Sequence, residues 1–246
     1  MLILVFYIIS LFKIKIKLLV IIQARLNSKR FKGKVLRLIY GKPLLWYVLK
    51  SVKKSKYVRK IIVATSVKKS DDPIAKFLKK NKIKFYRGSL NNVAERLLKA
   101  AKKQNVKQFM RISGDSPFVD YRIIDKLIKI NRTLSVKYDL ITNVFPRSFP
   151  SGMSVEIIKT NLLEKMLNKF SKSDKEHVTT YFYRNHKKFK IKIVNSMEYP
   201  SQFNQAVYLL KFLNSRSGFF FDEGVSSSIL LIGRKRHTSL KLKRPY

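Results

Sequence analysis

Cationic and hydroxyl side chains crowd the segment from Arg25 to Lys34: Arg25, Ser28, Lys29, Arg30, Lys32 and Lys34, with Gly33 as the only glycine. An apolar run, Leu18 to Ile22, stops at Gln23-Ala24-Arg25 immediately before it. Ligands of open α/β sheets bind outside the carboxyl ends of strands. A loop of this charge there is placed to receive a polyanion, most economically a nucleoside triphosphate whose charge several side chains share. It is not a Walker P-loop, which needs G-x-x-x-x-G-K-[ST], and no G-x-G-x-x-G occurs in the chain. Charge alone does not decide, because Lys and Arg are abundant throughout. A second reactive stretch is F-M-R-I-S-G-D-S-P-F-V-D, Phe109 to Asp120, in which a strand ends at Ser113 and a glycine turns the chain before Asp115. A carboxylate on the same sheet edge as the basic loop can hold magnesium, which takes one or two carboxylates plus substrate oxygens. Taken alone, Asp115 could equally cap the next turn.

Spacing sharpens the reading. Ala24-Arg25, Ser28, Arg30 and Gly33-Lys34-Val35-Leu36 resemble A-R-x-x-S-x-R-x-x-G-K-V-L, the signature of the cytidylyltransferases that activate sugars. The spore-coat polysaccharide (SpsF) branch is nearest in pattern, with the acylneuraminate cytidylyltransferases alongside. Asn27 stands where the family usually has glycine, though Asn tolerates positive φ well, and Lys32 stands where proline is common. I-I-V-A-T-S, D-D-P-I-A, F-Y-R-G-S-L-N-N-V-A-E-R, A-A-K-K and E-H-V-T-T-Y extend the resemblance from Lys17 to about Tyr183.

The resemblance implies transfer of CMP from CTP to a sugar, acidic or otherwise destined for surface polysaccharide, with release of pyrophosphate. It marks Ala24, Arg25, Ser28, Arg30 and Lys34 as nucleotide-binding, and Arg25, Lys34 and Asp115 as catalytic. Downstream of a matching basic loop, Asp115 is preferred as the Mg2+ ligand. Asn143, Arg147, Glu156 and His177 carry over as substrate-side groups. Read structurally, Asn143 could cap a strand end, Arg147 could face water and His177 could be a packing residue. Ser151 and Ser154 replace aspartates common in SpsF relatives, leaving the sugar open.

These residues need a scaffold to hold them. A strand over Lys17 to Ala24 is expected, then a helix with Pro43 in its first turn and Leu44, Leu45, Val48, Leu49 and Val52 on one face, with Trp46 packed on the sheet. Lys60 to Thr65 reads as a strand buried on both faces. Asp71-Asp72-Pro73 is expected to cap a helix from Ile74 to Lys80, followed by a strand from Ile83 to Tyr86 and a helix from Val93 to Gln104. Helices follow at Tyr121 to Ile130, with Asp120 as its cap, and near Asn161 to Phe170. This alternation predicts an α/β protein: a Rossmann-like nucleotide-diphospho-sugar transferase fold with a mainly parallel central sheet flanked by helices.

The expected domain runs over residues 17–197, preceded by an extra apolar segment, 1–16, and followed by a divergent tail, 198–246. Met1 to Phe12 is apolar and too short to span a bilayer, which takes about 20 residues, and its lysines follow it rather than precede it as in a signal peptide. It reads as upstream sequence from a misassigned start, next as a membrane-surface anchor, or as an edge strand. Past Ser196 the family's T-V-D-x-x-x-D pattern, which supplies a second metal carboxylate, is missing. A frameshift or a lineage-specific tail would explain the break, and weakened metal binding and turnover would follow from it.

Composition bounds the alternatives. No cysteine is present, so disulfides, thiolate metal sites and cysteine nucleophiles are excluded, in keeping with a cytoplasmic protein. Three histidines, His177, His186 and His237, argue against zinc chemistry. Lys and Arg number 54 against 14 Asp and Glu, a net charge of +40, from which adventitious rather than specific nucleic-acid binding is expected. The rivals are a nucleotide-sugar glycosyltransferase, disfavoured because no D-x-D pair occurs, an impaired nucleotide-binding homologue, and a basic nucleic-acid-binding protein. CTP and a sugar are the expected partners, with a homodimer possible and no transmembrane span.

Overall fold

The computed structural model describes residues 18–27, 32–134 and 138–198. The apolar amino-terminal segment, Ser28 and Arg30 of the basic loop, and residues 199–246 of the tail lie outside the described residues.

Strand β1 (Leu18–Gln23) is the hub. It pairs in parallel with β4 (Val58–Ser66) on one side and β6 (Gln108–Ser113) on the other. Its residues divide by parity: Leu18, Val20 and Ile22 enter one apolar cluster, Leu19 and Ile21 the other. A strand that feeds two cores must be apolar at every position, which is why it reads as an unbroken run. The full sheet has the order β5-β4-β1-β6-β8-β7-β9. β5 (Phe85–Gly88) extends the parallel half, β8 (Val155–Lys159) runs antiparallel, and β7 (Leu140–Thr142) and β9 (Ile191–Ile193) complete the other side. The expected α/β architecture with a mainly parallel sheet is therefore present.

Helices α1 (Leu44–Lys53), α2 (Asp72–Lys80) and α4 (Tyr121–Leu134) lie over the first cluster. Helix α3 (Val93–Lys103), with α5 (Thr160–Met166), α6 (Lys172–His177) and α7 (Thr180–Arg184), covers the second. Leu44, Leu45, Val48, Leu49 and Val52 form the buried face of α1 as their spacing requires. Pro43 precedes that helix instead of opening it, because it belongs to a small hairpin of β2 (Leu38–Ile39) and β3 (Lys42–Pro43). Trp46 is not on the sheet. It stands edge-on to Tyr47 at 5.0 Å, with the Lys50 and Lys42 ammonium groups 4.9 and 5.9 Å from its ring centre, a cation–π setting that suits a half-exposed indole. Asp71 does not cap α2 with its side chain either; it is wholly buried and spends both oxygens elsewhere.

Candidate active site

The chemistry gathers where β1, β4 and β6 end. Gly33 closes the basic loop: its amide donates to Leu26 O at 2.8 Å and its φ of 77° is one that a side chain would strain. The turn this creates starts a short 3-10 helix, Lys34–Leu36, whose first residue points at β6. Lys34 forms an ion pair with Asp115, both largely buried at 17% and 14% side-chain exposure. Asp115 also accepts a 2.6 Å hydrogen bond from the Ser113 hydroxyl. Gly114 lets the two strand ends meet: its amide donates to Gln23 O at 2.7 Å, and a Cβ there would lie 2.9 Å from that oxygen. Ala24 sits beneath the loop with its amide bonded to Ala64 O and its methyl buried, so it contributes close packing. Arg25 is ion-paired with Glu176 on α6.

Asp71 is the loop's hidden brace. Its carboxylate accepts from Leu26 N at 2.8 Å and from Ser66 N at 3.1 Å, tying the loop after β1 to the end of β4. Next to it lies Arg96 of α3, 1% exposed, whose pKa is lowered to about 10 by burial, with Asp71 opposing the shift and Arg25 adding to it. Arg96 donates to the carbonyl oxygens of Ser89 and Leu90.

Asp115 also lines a cavity of about 340 Å3 together with Arg111, Arg147, Glu156, His177 and Tyr183, among others. Three of the four substrate-side residues expected from the sequence therefore share one cavity with the expected metal ligand. Asn143 does not line it. Its amide donates to Met153 O at 2.8 Å and its oxygen accepts from Val155 N at 2.8 Å, so this buried side chain secures the loop between β7 and β8. Arg147 is exposed, with one described hydrogen bond, 3.4 Å to the Ser154 hydroxyl. His177 is exposed at the end of α6, a helix started by a reciprocal Ser171–Asp174 capping box. Val178 follows at φ 26°, uncommon for a β-branched residue, and the bend sends His177 and Thr179 to the same cavity.

The cavity floor is a polar network that sequence reading did not assemble. Arg111 and Glu156 are direct cross-strand partners on β6 and β8 and form an ion pair, with Glu156 only 2% exposed. Arg111 also donates to Gln23 Oε1 at 3.0 Å. Tyr183 donates to Glu156 and lies 2.8 Å from the Thr142 hydroxyl. Burial first, and then the Glu156 carboxylate, push the Tyr183 phenol well above its ordinary pKa of 10, so it stays a proton donor. A signal existed: Arg111 and Glu156 are lone opposite charges inside two apolar strands, F-M-R-I-S and V-E-I-I.

Comparison with known proteins bears on this arrangement. A family model described as cytidylyltransferase matches residues 19–217, most of the chain and past Ser196. The chain belongs to the cytidylyltransferase family. It is 31% identical over 234 residues to the spore coat polysaccharide biosynthesis protein SpsF of Bacillus subtilis, covering 88% of this chain and 94% of that protein. A solved cytidylyltransferase from Leptospira borgpetersenii superimposes with a TM-score of 0.70 at 32% identity, over 73% of this chain and 76% of that one. A CMP:2-keto-3-deoxy-manno-octonic acid synthetase solved with CTP shares the fold at 15% identity, with a TM-score of 0.56 over 80% of this chain and 99% of that one.

As a cytidylyltransferase the protein is a nucleotidyltransferase enzyme, and its family binds CTP and a sugar. No cluster of three or more His, Cys, Asp or Glu able to hold a metal occurs among the described residues. The donor set fits a cation that takes one protein carboxylate, that of Asp115, and completes its shell with phosphate oxygens and water, as magnesium does. Among the described residues no helix is long and apolar enough to cross a membrane.

Proposed function

We propose that this cytidylyltransferase transfers CMP from CTP to an acidic sugar used in surface polysaccharide. The observation that carries the reading is the position of Asp115, bonded to Lys34 of the basic loop on one side and lining the cavity of Arg147, Glu156 and His177 on the other. A group at that junction touches both reactants of a phosphoryl transfer. A sugar hydroxyl in the cavity would attack the α-phosphorus as the bond to the leaving pyrophosphate breaks.

Arg25 and Lys34, with Ser28 and Arg30 of the same loop, would share the triphosphate charge. In the free protein both Arg25 and Lys34 are engaged by carboxylates, Glu176 and Asp115. Phosphate oxygens would replace those partners, so CTP binding exchanges ion pairs instead of desolvating bare cations. Asp115, released from Lys34, would then be the residue that holds magnesium. When bound, the ion would neutralise charge developing on the phosphates.

The acidic sugar follows from charge accounting in the cavity. Glu156 is matched by Arg111 and Asp115 by Lys34, while Arg147 has only a serine hydroxyl among the described residues. Arg147 is thus the guanidinium left to receive a carboxylate. Pyrophosphate release from CTP and magnesium, measured with panels of acidic and neutral sugars, tests this. Release confined to acidic sugars, and lost in Arg147→Ala, is expected; equal release with neutral sugars would refute the acidic assignment.

A further inference from the structure

The Arg25–Glu176 pair spans 151 residues of sequence and joins the basic loop after β1 to the end of α6. It contributes little to holding the fold. Both side chains are part-exposed, at 27% and 40%, and ion pairs so placed add little stability. Each partner's element also has firmer anchors. The loop is held by Asp71, which accepts from Leu26 N beside Arg25. Helix α6 is held by its Ser171–Asp174 capping box and by the 2.8 Å bond from Arg184 of α7 to Asp174. Val178 and Phe182, both wholly buried, fix the chain that follows it.

What the pair does is set a carboxylate on a cation of the nucleotide loop. Arg25 also senses the buried Arg96 guanidinium, so an anion beside Arg25 is favourable whether it is a carboxylate or a phosphate. A carboxylate carried on a packed helix stays at high effective concentration near Arg25, whereas a pyrophosphate that lets go diffuses away.

We propose that Glu176 is an internal competitor for phosphate at Arg25, holding CTP affinity down and displacing pyrophosphate once it has formed. The inference rests on the proposed reaction, in which triphosphate oxygens reach Arg25. On CTP binding, Arg25 turns from Glu176 to phosphate. After transfer, the return of Glu176 to Arg25 offsets the lost phosphate contact and lets the product leave. Glu176 touches no reacting atom, so it is a positioning residue that acts through Arg25. A brace and a competitor predict opposite signs: removing a brace loosens the loop and weakens CTP binding, whereas removing a competitor tightens it.

Calorimetric titration of the full chain with CTP and, separately, with inorganic pyrophosphate, both in magnesium and without sugar, decides between them. Glu176→Gln should bind each about threefold more tightly than wild type, with its urea midpoint little changed. Pyrophosphate should inhibit the variant's turnover at a correspondingly lower concentration. In an Arg25→Ala background the same substitution should change neither affinity, because the group competed for is gone. Glu164→Gln removes an equal charge from an exposed pair with Lys102 and should leave both affinities unchanged. Equal tightening in Glu164→Gln would overturn the proposal in favour of net charge. Weaker or unchanged binding by Glu176→Gln, with wild-type binding still dependent on Arg25, would overturn the proposal alone. Absence of CTP and pyrophosphate binding to wild type, or full binding by Arg25→Ala, would overturn the proposed use of this loop and the inference with it.

Discussion

Two ion pairs meet at Asp115 and the cavity floor, and they are built for opposite purposes. Arg111–Glu156 joins adjacent strands in register, is supported by Gln23 and Tyr183, and leaves Glu156 almost wholly buried. Lys34–Asp115 joins a loop to a strand end, and both partners keep some contact with solvent. A buried, multiply bonded pair is expensive to break and so acts as fixed scaffold. A pair that a loop lysine makes with a carboxylate at a strand end, with no paired strand to hold the lysine in register, can change partners when phosphate arrives. The comparison teaches that charge around one cavity divides into a pair that holds the shape and a pair that, on the proposed function, would trade partners during binding.

The largest expected effect comes from breaking the fixed pair. Glu156→Ala leaves Arg111 uncompensated and should cost roughly 3 to 5 kcal/mol of folding stability, read from urea midpoints. A loss near zero would move Glu156 to the exchangeable class. Next, Lys34→Ala should lower pyrophosphate release about 100-fold while costing less folding stability than Glu156→Ala, because Asp115 keeps its hydrogen bond from Ser113. If Lys34→Ala unfolds the protein instead, the distinction between the two pairs collapses.

Asp71→Ala sharpens the contrast from a third side, since it leaves the Leu26 and Ser66 amides without their acceptor. It should cost roughly 2 kcal/mol and also weaken CTP binding, because it frees the loop that carries Arg25 and Lys34. Normal affinity in the folded variant would separate the brace from the loop's function.

The smallest effect concerns Asp174, whose carboxyl pKa is held below its ordinary value first by a hydrogen bond from Arg184 and then by Ser171. A depressed folded-state pKa gives stability above the unfolded value of about 4, lost as pH falls through the lower folded value. Asp174→Asn should therefore cost about 1 kcal/mol at neutral pH, with the difference from wild type vanishing in acid. A difference that persists unchanged into acid would show that packing, not charge, secures α6.

Much of this was legible in the chain. Unbroken apolar runs marked β1 and β4 because both faces of those strands are covered, and the approach of Lys34 to Asp115 was legible because both follow strands that end on the same edge of the sheet. What the sequence hid were interactions across long separations. Asp71 looks like a helix cap beside Asp72-Pro73, and only the approach of β4 to β1 shows that it holds Leu26 and Ser66 instead. Asn143 was expected in the substrate pocket, yet the loop after β7 folds back so that both amide atoms go to Met153 and Val155. Trp46 was expected on the sheet, but the face of α1 that meets the sheet is already filled by Leu45, Val48 and Leu49. Pairing of Arg111 with Glu156 requires the antiparallel register of β6 and β8, which local pattern does not specify.

The most direct test is thermal unfolding in magnesium with CTP, UTP, ATP or GTP, on wild type, Lys34→Ala and the surface control Lys79→Ala. A specific ligand at about 100 times its dissociation constant stabilises the fold by about 2.7 kcal/mol, which is a shift of several degrees in this assay. CTP alone should raise the melting temperature of wild type and Lys79→Ala, and Lys34→Ala should lose most of the shift. Equal shifts with all four nucleotides, reduced alike in both variants and by added salt, would contradict a built CTP site and leave only general polyanion attraction.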